Sequence, residues 1–115
     1  MVKTKSIFDP VEESDGRRIL VALTGKDKTK FDEWLTSLAP TYALLYGYKD
    51  GKITWEEYVS EYKRLMKREK CQENIRRLAE LSKKQDITLL CWEQEGNPHC
   101  HRHLLKEMID SSPLL

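Results

Sequence analysis

Ile19-Leu20-Val21-Ala22-Leu23 and Ile87-Thr88-Leu89-Leu90-Cys91 are short apolar runs with almost no polar alternation. Runs of this kind suit strands buried on both faces, as in parallel sheets covered by helices. Between them lies the strongest helical signal in the chain. Thr54, followed three residues later by Glu57, makes a capping box in which each side chain satisfies an N–H of the other residue. Behind it Trp55, Tyr58, Val59, Tyr62, Leu65 and Met66 recur at helical spacing and form one apolar face. A further helix is expected from Cys71 to Ser82 through Ile75, Leu78 and Ala79. Strands separated by helices imply an α/β fold: a small three-layer Rossmann-like domain with a parallel or mixed sheet.

The remaining segments complete this frame. Val2 to Phe8 alternates imperfectly and stops at Asp9-Pro10, where Pro10 removes a ladder donor, so it reads as a first strand. The acidic stretch from Asp9 to Asp15-Gly16 reads as a loop. Lys26 to Leu38 is expected to be a helix, with Phe31, Trp34, Leu35 and Leu38 at spacings of three and four, closed by Pro40. Thr41 to Tyr48 leans to helix, and Asp50-Gly51 supplies a turn. Trp92 to Pro98 is expected to be a loop. His101 to Ile109 then forms a closing helix carrying Leu104, Leu105, Met108 and Ile109.

A chain of 115 residues fits one domain spanning residues 1–115. The formal net charge of +1 argues against a whole-molecule pull toward nucleic acid or anionic lipid. The first residues lack the apolar stretch of a secretory signal. No run approaches the roughly 18 apolar residues of a membrane span, so no membrane partner is expected. Three cysteines are an odd count without a signal, which points to free thiols in the reducing cytosol.

Chemistry concentrates in the last third. Cys91 and Glu93 follow the last strand, and Cys100-His101-Arg102 opens the closing helix. In open α/β sheets ligands bind beyond the carboxyl ends of strands, and a helix N-terminus there favours an anion or a thiolate. The expected catalytic set is therefore Cys100 as a nucleophile of lowered pKa, His101 as general base or acid, Arg102 as anion clamp and Glu93 as an orienting carboxylate. Cys91 joins this set, but ending an apolar strand it is better explained as a small buried residue.

Other uses of the same atoms stay open. Cys91, Cys100, His101, His99 and His103 offer metal-ligand types, but without the compact pairs usual for zinc, and no metal or other cofactor is assigned. Cys91 and Cys100 could form a redox pair. Nine basic residues (Lys63, Arg64, Lys67, Arg68, Lys70, Arg76, Arg77, Lys83 and Lys84) form a stripe that reads as a solvated face or, with Arg102, as a contact for nucleic-acid phosphate. The expected partner is thus an anionic small molecule or a nucleic-acid phosphate.

Several segments together resemble a known family. Ser6-Ile7-Phe8-Asp9-Pro10, Asp15-Gly16-Arg17-Arg18-Ile19-Leu20-Val21, Trp34-Leu35 with Leu38-Ala39-Pro40, and Leu89-Leu90-Cys91 before Cys100-His101-Arg102 occur in an order similar to the short branch of the domain of unknown function 488 (DUF488) family. The resemblance implies a compact α/β domain of Rossmann-like layering and a Cys-x-Glu…Cys-His-Arg site, with no settled activity. That branch carries Arg-x-Trp-Pro-Arg-Gly after the second strand, where this chain reads Ala22-Leu23-Thr24-Gly25-Lys26-Asp27. If those arginines hold an anion in relatives, this chain has either lost them or replaced them with Lys26 and Lys28.

Overall fold

The computed structural model describes residues 1–25, 27–92 and 99–112. Four strands, β1 (Val2–Ser6), β2 (Arg17–Leu20), β3 (Glu33–Trp34) and β4 (Ile87–Cys91), form one sheet in the order β1-β4-β2-β3. All pairings are parallel, with Ser6 opposite Cys91 and Leu20 opposite Leu90. The last strand in sequence is thus an inner strand, and all five of its residues are buried. That placement explains its near-continuous apolar run.

Four helices follow the sequence pattern closely: α1 (Tyr42–Lys49), α2 (Trp55–Leu65), α3 (Glu69–Lys84) and α4 (His101–Asp110). Thr41 caps α1 by accepting from the Leu44 N–H at 3.1 Å. At α2 the Thr54–Glu57 capping box is formed in both directions. Tyr58 and Tyr62 of α2, Ile75 and Leu78 of α3, and Leu105 and Ile109 of α4 join Ile19, Ile87 and Leu89 in the larger core cluster. Leu20, Ala22 and Leu90 alternate to the other face and meet Ile7, Phe31 and Trp92. The architecture is α/β and compatible with a small three-layer Rossmann-like domain, its second face covered by connecting segments.

The helix expected over Lys26 to Leu38 is not formed by its described residues. Lys28–Lys30 and Thr36–Leu38 are single 3-10 turns flanking β3. The backbone donors here go to β2: Asp32 N–H to the Arg18 carbonyl at 2.8 Å and Leu35 N–H to the Leu20 carbonyl at 2.9 Å. The aromatic residues that suggested a helical face serve different neighbours. Phe31 packs in the smaller cluster, while the Trp34 indole donates to the Ala22 carbonyl at 2.8 Å.

The loop before β2 is held by a buried charge cluster. The Asp15 carboxylate accepts from Arg18, from Lys5 Nζ at 3.0 Å and from the Glu12 N–H at 3.0 Å. Gly16 follows at φ 65°, and a β-carbon there would collide with the Asp86 carbonyl. Glycine is required by both conformation and close approach.

Candidate active site

β4 delivers Cys91 to the carboxyl end of the sheet, and the start of α4 returns to the same point. Cys100 occupies the N-cap of α4 in extended conformation, but its side chain does not cap the helix. Its sulfur instead lies 2.7 Å from the Cys91 sulfur. Arg102, fully buried, donates from Nη1 to Cys91 Sγ at 3.1 Å and to the Lys5 carbonyl at 3.2 Å. On the other side of Cys100, His101 Nδ1 stands 3.7 Å from the thiol. His101 Nε2 is hydrogen-bonded to the Val21 carbonyl. A carbonyl only accepts, so the neutral ring carries its proton on Nε2 and presents the Nδ1 lone pair toward Cys100.

The result is a chain of polar contacts: guanidinium, Cys91 sulfur, Cys100 thiol, imidazole, backbone carbonyl. It bears on one expectation. The hydrogen bond with Cys91, together with burial, pushes the Cys100 thiol above its ordinary pKa, and the opposing pull of Arg102 is weaker. That direction is opposite to the lowering that its position at a helix start suggested. In the pair, the sulfur touched by the fixed positive charge is that of Cys91.

Beside the pair opens a cavity of about 320 Å³, with Cys91 and His101 in its lining. One wall is α1, which contributes Tyr42, Tyr46, Tyr48 and Lys49; Thr24, after β2, lies on another side. The rings of Tyr42 and Tyr46 are stacked and more than half exposed. Also in the lining, the exposed His99 lies flat against Trp55, with ring centroids 4.5 Å apart, and its Nδ1 is 2.8 Å from the Tyr48 hydroxyl.

Of the predicted site residues, the structure brings Cys91, Cys100, His101 and Arg102 together; Glu93 lies outside the described residues. Arg102 faces the Cys91 sulfur and the end of β1 from a buried position. The aromatic wall on α1 was not anticipated. Its sequence signal was the i, i+4 pair Tyr42 and Tyr46 on an otherwise largely apolar segment. Among the described residues no group of three or more His, Cys, Asp or Glu side chains could hold a metal ion. The nine basic residues from Lys63 to Lys84 are all exposed, and none lines the cavity. Cys71 is elsewhere, its thiol donating to the Ser37 carbonyl at 3.2 Å. Among the described residues no helix is long and apolar enough to cross a membrane.

Comparison with known proteins places this arrangement in a lineage. The chain is 32% identical over 94 residues to the uncharacterized protein YeaO of Escherichia coli (strain K12), covering 77% of this chain and 80% of that protein. No solved structure matches it significantly. The family model DUF488-N3a, described as the active DUF488-N3 subclade, matches residues 2–112. The chain carrying this paired-cysteine centre thus belongs to the DUF488 family.

Proposed function

We propose that this protein is a thiol-dependent enzyme acting on a small anionic substrate held in the aromatic cavity. The observation that carries the reading is the position of Cys91: the residue lines the cavity and its sulfur accepts a hydrogen bond from the buried Arg102 guanidinium. A cation beside a sulfur favours the thiolate, and the thiolate is the nucleophile. The nucleophile is therefore Cys91, with Cys100 as the thiol that donates to it. Once Cys91 has reacted and no longer accepts from Cys100, His101 Nδ1, oriented by the Val21 carbonyl, is the acceptor for the Cys100 proton. Arg102 is a positioning residue that acts through Cys91. Lys49 on the cavity wall is the cation that an anionic group on the substrate would meet. Free thiols of this kind suit a reducing cytosol.

Alkylation followed by peptide mass spectrometry, on folded and denatured protein across a pH series, tests the assignment. Folded Cys91 is expected to react at neutral pH faster than denatured Cys91, with Cys100 lagging. Arg102→Met is expected to slow Cys91 labelling and to shift its pH dependence upward, while circular dichroism checks the fold. A Cys91 that is inert when folded, or that labels as in the denatured chain, would sink the enzyme reading.

A further inference from the structure

We propose that Cys91 and Cys100 are a redox-active dithiol that closes to an intramolecular disulfide by exchange with a low-molecular-weight disulfide of the glutathione type. Two sulfurs 2.7 Å apart are closer than nonbonded sulfur atoms normally approach. A disulfide bond needs about 2.05 Å, so closure calls for a small shift rather than a rearrangement of β4 or α4. The two residues also differ in the way exchange requires. Cys91, only 2% exposed, is the one of the two that lines the cavity, and Arg102 supports negative charge on its sulfur. Cys100, buried to the same degree, is not in that lining and sits beside the acceptor nitrogen of His101.

The steps balance as follows. The Cys91 thiolate attacks one sulfur of the small disulfide, breaking its S–S bond and releasing one small thiolate. A mixed disulfide is left on Cys91. The Cys100 thiol gives its proton to His101 Nδ1, and the Cys100 sulfur attacks Cys91 Sγ, expelling the second small thiolate. One small thiolate takes up the proton held on His101, and the other takes from solvent the proton that Cys91 gave up on ionising. The protein has lost two electrons and two protons, and one small disulfide has become two thiols. Closure removes the nucleophile from the cavity, which makes the exchange a switch on the proposed activity. That consequence rests on the enzyme reading, whereas disulfide formation itself does not.

The test is to equilibrate the folded full-length chain in buffers of stepped reduced-to-oxidised glutathione ratio, trap with acid, and map disulfides by non-reducing peptide mass spectrometry. The expected result is a Cys91–Cys100 disulfide with Cys71 still a thiol, reversed by dithiothreitol, and loss of both alkylatable thiols on closure. Cys100→Ala is expected to stop at a glutathione adduct on Cys91. Should that variant fail to fold, the wild-type map still decides the matter. The proposal is overturned if wild-type Cys91 and Cys100 stay reduced at every ratio, or if Cys91 stops at the glutathione adduct with Cys100 intact. Rapid alkylation of Cys91 without any cross-link would remove this inference and leave the enzyme reading standing. A cross-link with Cys91 slow to alkylate in the reduced protein would do the reverse.

Discussion

Asp15 and Arg102 hold their surroundings by opposite means. Asp15 is a buried carboxylate satisfied by the Arg18 and Lys5 side chains and the Glu12 N–H. Removing one member of a buried pair strands the other charge, which costs about 3–5 kcal/mol. Asp15→Asn is therefore expected to destabilise the fold by about that amount, read as a lowered urea midpoint at unchanged slope. A loss below about 1 kcal/mol would mean that the cluster behaves as a surface pair. Arg102 brings a positive charge to a sulfur, so its removal should be felt in the reactivity of Cys91 as well as in stability. The cysteines were legible as candidates because each sits at a chemically telling place, a strand end and a helix start. Their roles were not, because that depends on which sulfur the Arg102 side chain reaches. The α4 start turns Cys100 back onto Cys91, and residue types alone do not record that turn.

At the level of elements, periodicity carried most of the information. α2 was readable because its apolar residues repeat at helical spacing behind the helix start marked by Thr54 and Glu57, and β4 because it is a short, nearly continuous apolar run. β3 escaped because a two-residue strand has no period; it exists through backbone hydrogen bonds to β2. Phe31, Trp34 and Leu38 fall at helical spacing, yet Phe31 and Trp34 meet each other and the side of the smaller cluster, while Leu38 joins the larger one. The aromatic wall escaped for a related reason, since Tyr42 and Tyr46 face the cavity rather than the core. The capping box of α2 gives a direct test. Thr54→Ala should cost about 0.5–2 kcal/mol and shift thermal unfolding downward, with alkylation of Cys91 unchanged. A simultaneous loss of Cys91 reactivity would show that α2 does more than support the core.

For the whole molecule, acid is the condition to which the fold is most exposed. Burial pushes the Asp15 carboxyl up, but the Glu12 N–H, Lys5 and Arg18 outweigh it and hold the pKa below the usual range. At Glu33 burial also pushes upward, and Arg77 and Arg17 reverse it. Both groups bind a proton less readily folded than unfolded. Their contribution is complete above the unfolded values, about 4, and is lost as the pH falls through the depressed folded ones. A thermal midpoint that is flat near neutrality and drops below about pH 4 is expected, with a shallower drop in Asp15→Asn. A midpoint indifferent to acid would contradict the assignment. The sheet order has a consequence of another kind. β1 and β2 meet only through β4, which is encoded after both and after three helices. On the ribosome the first 86 residues can pair no more of the sheet than the two-residue contact between β2 and β3. The nascent chain must therefore carry β1 unpaired and β2 paired along one edge only until the tunnel releases Cys91, so the residue proposed to do the chemistry also completes the sheet during synthesis.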